Sequence, residues 1–269
     1  MRRAFFSAVI GLAALCSGSA AFAGPPGSDA VAPEAPRPTD ARVETPVLGF
    51  AQNAFGASRM TAGALGYVGM LYGQPNPAGD PGAGKLLPQG GARIWGSPVD
   101  RLTFLLEVDK RDFASAAPSA TIAVRILGSR ADGWALGAAA TYRAEGFAHI
   151  VGEMEGALLL SFARRGFYAD LNGVFGAAFA EKEMDSEVKL RLGYDVTPWL
   201  RIGADSRFRM RVGGGKYLAG GRSFDAIGGP ELVFGYKHFF GALSGGPSTV
   251  GVARGFGWGG TTTFGAAWF

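Results

Sequence analysis

Three arginines, Arg207, Arg209 and Arg211, recur at every second position, and Lys189 and Arg191 do the same upstream. Cations at that spacing could share one wall and attract anions. Acids are interleaved with them: Glu187 precedes Lys189, and Asp205 precedes Arg207. The same residues could instead neutralise one another in an internal ion-pair lattice, with Glu153 and Asp170 as further partners. The ample supply of acids favours the lattice. Arg207, Arg209, Arg211, Lys189, Arg191, Asp205 and Glu187 are the candidate lumen and ion-path residues.

Other chemistry has little to build on. The chain has only two histidines, His149 and His238. His149 has Glu145 and Glu153 nearby in sequence, which would suit a general base at the rim of a lipid-modifying enzyme. An ordinary loop histidine is the simpler reading. Gly79 to Lys85 fits the phosphate-loop spacing GxxxxGK, but Leu86 stands where Ser or Thr should follow. Pro88 would also disturb the helix whose N-terminus should hold phosphate. This stretch and Gly213 to Lys216 are read as surface loops. The single cysteine, Cys16, lies in the leader, so thiolate and zinc chemistry are not expected of the mature chain. No catalytic residue, cofactor or metal is expected.

The basic row sits in a stretch, Asp185 to Val212, that reads as two strands. Val188, Leu190, Leu192 and Tyr194 alternate with Glu187, Lys189 and Arg191. Leu200, Ile202, Ala204, Phe208 and Met210 alternate with Arg201, Asp205 and the three arginines. A period of two is a strand signal, whereas helical spacing would scatter the arginines around the axis. Each strand is about ten residues long with one apolar face, long enough to cross a bilayer when tilted.

Similar runs follow one another from Ala64 onward. The expected strands are Ala64–Gly73, Gly91–Ser97, Arg101–Lys110, Ala120–Ser129, Trp134–Arg143, Gly152–Ala163, Phe167–Ala180, Ser186–Tyr194, Leu200–Val212, Asp225–Tyr236, Thr249–Arg254 and Thr261–Phe269. The connections alternate in length. Gly96–Arg101, Ser129–Gly133, Ala163–Gly166 and Asp195–Trp199 are short; Gln74–Gln89, Arg111–Ser119, Ala144–Val151, Glu181–Asp185 and Gly213–Ser223 are read as the long ones. This sorting is what an up-and-down barrel requires, with short turns at one end and loops at the other. The expectation is an all-β, closed antiparallel transmembrane barrel of about twelve strands. Charged faces would then look inward, because a basic residue on the lipid face at mid-depth costs about 2–4 kcal/mol. Tyr72, Trp95, Trp134, Tyr142, Tyr194, Trp199 and Tyr236 fall near strand ends and would form aromatic girdles. A soluble β-sandwich that binds a ligand is the alternative.

The chain of 269 residues is 48% hydrophobic, 18% charged and carries 44 glycines. Arg2 and Arg3, the apolar run from Phe5 to Leu15 and Ala21-Phe22-Ala23 make residues 1–23 a secretory leader, cleaved before Gly24. The 26 Lys and Arg, less those two, face 22 Asp and Glu, too even a balance to suggest a nucleic-acid partner. Residues 24–62 are rich in Pro and Ala and are expected as a disordered periplasmic arm. Within them the stretch from Val47 stays open between a short helix, a plug and a first strand. Residues 63–269 are expected as the barrel.

The chain stops on Phe269, after Trp268 and Phe264, and carries the Thr197-x-x-Leu200-x-Ile202-Gly203 hairpin after Tyr194. In these features it resembles bacterial outer-membrane β-barrel proteins. Ala267 and Gly265 stand where their terminal strands usually carry larger apolar residues. The resemblance implies an outer-membrane location, contact with outer-membrane lipid, and recognition of Phe269 by the barrel-assembly machinery. It implies a non-enzymatic envelope protein, a narrow passive pore or a structural component, and it assigns no functional residue.

Overall fold

Alternation of apolar and polar residues produces twelve strands: β1 (Ala62–Tyr72), β2 (Leu86–Val99), β3 (Leu102–Lys110), β4 (Ala117–Ser129), β5 (Trp134–Gly146), β6 (His149–Arg164), β7 (Phe167–Ala178), β8 (Glu183–Thr197), β9 (Leu200–Gly213), β10 (Phe224–Tyr236), β11 (Phe239–Ser248) and β12 (Gly257–Trp268). The computed structural model describes residues 50–55, 62–72, 86–110, 116–129, 131–146, 149–179, 183–213, 224–250 and 256–268. The leader, residues 24–49 and Phe269 lie outside the described residues. Each strand pairs antiparallel with its sequence neighbours, and β1 pairs with β12 from Ala62↔Trp268 to Tyr72↔Trp258, so one sheet closes on itself. The expected closed antiparallel barrel is therefore the observed one, and a sandwich of two sheets is excluded.

The side chains sort as the pleat demands. In β8, Val188, Leu190 and Leu192 are exposed while Glu187, Lys189 and Arg191 are buried. In β3, Phe104, Leu106 and Val108 face out and Glu107 and Asp109 face in. An apolar outer surface around a charged interior inverts a water-soluble protein and suits hydrocarbon outside, with no unpaired strand edge left facing it. Tight turns join the strands in pairs at one end. The Arg165-Gly166 turn has φ of 51° and 85°, the left-handed pair of a primed hairpin turn that matches strand twist. Of the expected girdle residues, Tyr72, Trp134, Tyr142, Tyr194, Trp199 and Tyr236 are exposed on the outside. Trp95 is not among them. It points inward and packs on Phe240, ring centroids 6.2 Å apart, in an apolar cluster with Leu65, Leu105, Val233 and Ala267. A strand-end position fixes depth, but the pleat decides the face, and Trp95 shares the face of Arg93.

The eleventh strand departs from expectation. It is Phe239–Ser248, and not Thr249–Arg254, of which residues 251–254 lie outside the described residues. Gly245-Gly246-Pro247 reads as a turn in sequence, yet here the glycines serve a close approach. A Cβ on Gly229 would lie 2.0 Å from the Gly245 carbonyl oxygen, and one on Gly246 would lie 2.1 Å from that of Gly228. Only chains without side chains can come so near, which is why β10 and β11 carry glycine pairs there. Gly246→Ala is expected to lower stability by about 1–3 kcal/mol, the range for forced overpacking. Gly156→Ala, where nothing lies within 4 Å, should be near neutral. Urea midpoints of heat-modifiable gel mobility check both.

Part of the expected arm is not outside the barrel. Phe50–Phe55, which falls within the region expected as a periplasmic arm over residues 24–62, lies inside against β6, β7 and β9. Ala51, Ala54 and Phe55 are buried there, and Ala54 and Phe55 pack with Ala135, Ala139 and Leu159. These residues bury apolar surface inside the barrel. For this stretch the open choice narrows to a plug.

Candidate functional site in the barrel lumen

The seven candidate residues all occupy inward positions of β8 and β9, and the register brings them together. Arg191 stands opposite Asp170 on β7 and Asp205 on β9; Lys189 stands opposite Arg207, and Glu187 opposite Arg209. Arg191 grips Glu231 of β10 with two bonds, Nε to Oε2 at 2.8 Å and Nη2 to Oε1 at 3.1 Å. The planar guanidinium matches the carboxylate, the strongest geometry an ion pair offers. Lys189 Nζ lies 2.8 Å from Glu187 Oε2. Arg209 donates from Nε to Asp185 Oδ2 at 2.6 Å and also lies 3.8 Å from Glu187. Arg211 pairs with Glu183 at 2.6 Å. Lys189, Arg191, Arg209 and Arg211 are thus tied into ion pairs, and the basic row is not a bare cationic wall.

The opposite wall is built the same way. Arg93 lies 2.9 Å from Glu107, and Arg143 lies 3.3 Å from Asp109. The Tyr67 hydroxyl is 3.3 Å from both acids. Between the walls runs the internal segment. The Phe50 amide donates to Asp205 Oδ2 at 2.7 Å. The Gln52 amide donates to Asn172 Oδ1, and Asn172 Nδ2 donates back to the Gln52 carbonyl at 2.8 Å. The Ala54 amide donates to Ser161 Oγ at 2.6 Å, and that hydroxyl donates onward to Asp170 at 2.5 Å. Arg125 Nη1 donates to the Phe55 carbonyl at 3.1 Å. The Arg207 guanidinium sits over the Phe50 ring, 5.4 Å from its centroid. Beside the segment a cavity of about 80 Å³ is lined by Phe50, Gln52, Tyr67, Arg93, Glu155 and Lys189, among others. At about 30 Å³ per water, that holds two or three molecules.

The chain is similar to two solved channel structures. A NanC porin superposes with a TM-score of 0.55 at 8% identity, over 77% of this chain and 98% of that one. The COG4313 outer membrane channel from Pseudomonas putida F1 gives 0.51 at 12% identity, over 79% and 96%. This chain has the fold of the bacterial outer-membrane β-barrels. At these identities the likeness is one of fold. No family model and no curated protein matches the chain.

Within this outer-membrane-type barrel the two histidines sit at opposite ends. His149 opens β6 at the loop end, and its side chain lies outside the described residues. His238 follows β10 in a tight turn at the other end, its Nδ1 3.2 Å from the Ala267 carbonyl. Among the described residues no group of three or more His, Cys, Asp or Glu side chains could hold a metal. The residues that sequence reasoning missed are neutral ones: Ser161, Asn172 and the six from Phe50 to Phe55. An uncharged side chain on the inward face of a strand gives no signal by itself. The usable hint was that Asn172 and Ser161 fall on the polar phase of their strands, in register with Asp170.

Proposed function

We propose that this chain is a non-enzymatic outer-membrane barrel, exported by its leader, whose lumen is a narrow conduit for water and small ions. The observation that carries the reading is the closed sheet with apolar residues outside and charged residues inside. A barrel with only a structural task needs no buried charges, and these would cost more than an apolar core of the same shape. The narrow space beside the internal segment supports small permeants only. Recognition of Phe269 by the barrel-assembly machinery belongs to the same proposal, as does contact of the outer surface with outer-membrane lipid.

The ion path runs past Arg207, Arg209, Arg211, Lys189 and Arg191, with Asp205 and Glu187 among them. On these seven positions cations outnumber acids, which biases the lumen toward anions. Asp185, Glu183 and Glu231 bring the acids to five against the five cations, so little or no anion preference is expected of the wild type. The test is the reversal potential of the purified protein in a planar bilayer under a salt gradient. Arg207→Gln/Arg209→Gln/Arg211→Gln should impose a cation preference, because Glu183 and Asp185 lose their partners while Glu187 keeps Lys189. The shift should grow as salt falls, since screening weakens. A cation preference in the wild type that the triple variant leaves unchanged would overturn the ion-path assignment.

A further inference from the structure

We propose that Ser161, Asn172 and Asp205 form a binding site for the backbone of a short internal segment, that Phe50–Phe55 is its resident ligand, and that releasing this segment opens the lumen. The proposal rests on the conduit reading above.

The geometry is that of a recognition ladder. The donors are the amides of residues 50, 52 and 54 along a bent segment, and the Ala51 amide also serves Asp205. The acceptors are three side chains on three strands: Asp205 on β9, Asn172 on β7 and Ser161 on β6. The Asn172 amide both accepts from Gln52 and donates to it, so it imitates the two-way bond of a neighbouring strand. The site reads backbone and asks little of sequence.

Three features make the segment a removable ligand. It is held by side chains and pairs with no strand, so its departure breaks no rung of the closed sheet. Its six residues, Phe-Ala-Gln-Asn-Ala-Phe, carry no charge. The pairs Arg191–Glu231, Lys189–Glu187, Arg209–Asp185 and Arg211–Glu183 therefore stay intact without it. It also stands against Arg207 and the cavity: Phe50 covers Arg207, and Phe50 and Gln52 line the open space. Withdrawal would join the space the segment fills to the cavity and uncover Arg207.

Proline tests the ladder, because it deletes an N–H and leaves the strands untouched. In the full mature chain, Gln52→Pro should raise single-channel open probability about tenfold, the effect of one lost buried hydrogen bond near 1.4 kcal/mol. Asn53→Pro removes an amide between the rungs and should change it less than twofold. A second variant, Gln52→Cys/Asn172→Cys, places the only cysteines of the mature chain across the middle rung. Oxidised, it should be cross-linked and silent; reduced, it should conduct. Failure to cross-link in the folded protein would overturn the site. Equal conductance in the oxidised and reduced states would overturn the gating role and leave the conduit standing. Silence of every variant, with heat-modifiable mobility showing intact barrels, would overturn both the gate and the conduit.

Discussion

Arg191→Met is expected to destabilise the folded barrel by about 3–5 kcal/mol, the range for removing one partner of a buried ion pair. The side chains of Arg191 and Glu231 are 7% and 2% exposed. Arg191 also faces Asp170 and Asp205 on its two neighbouring strands. Its loss would leave three carboxylates converging with no cation between them. The double variant Arg191→Met/Glu231→Leu should recover part of the loss, since an apolar pair can replace a buried salt bridge while Asp170 and Asp205 still lack their cation. Urea titration of the wild type, the single variant and the double variant checks both statements. Equal losses in the single and double variants would show that the pair is not the unit of stability.

Leu190→Arg is expected to reduce membrane-inserted protein sharply. Leu190 lies midway along β8 and faces outward. An arginine on the lipid face at mid-depth costs about 2–4 kcal/mol, and near the interface only about 0–1. Tyr194→Arg, toward the tight-turn end of the same face, is the graded control and should insert nearly normally. The adjacent position already carries an arginine, Arg191, which the barrel requires. One residue along a strand exchanges the most tolerated site for the least, and the fraction of heat-modifiable protein in membranes measures this directly.

Much of this design was legible in the amino acids. The alternation of Val188, Leu190 and Leu192 with Glu187, Lys189 and Arg191 is a physical period, so it exposes both the strand and its faces before any fold is known. The alternation of short turns with longer loops then gives the antiparallel order. Legibility failed where an interaction depends on distant neighbours. Gly245-Gly246-Pro247 carries a turn composition, and only the approach of Gly228-Gly229 from β10 makes it a strand. Trp95 has the residue type of a girdle and the face of a core. Arg191 has several acids within reach on paper; the register sets it opposite Asp170 and Asp205, yet its side chain reaches past β9 to Glu231 on β10. Phe50–Phe55 has no periodic charge pattern, because its partners recognise backbone.

The β1–β12 seam also sets the order in which the molecule can be made. All other pairings join strands adjacent in sequence, and each such hairpin closes a short loop. The seam joins the first strand to the last, so its closure carries the largest chain-entropy penalty and comes after the hairpins. Until residues 257–268 are in place, β1 and β11 both present bare backbone, which hydrocarbon does not accept. Phe50–Phe55 lies just upstream of β1 and inside the ring. Its insertion is therefore simplest while the seam is still open, with the sheet curling around it. Synthesis, threading and sealing thus form one ordered sequence, and a chain halted before β12 should accumulate as an unsealed species vulnerable to proteolysis.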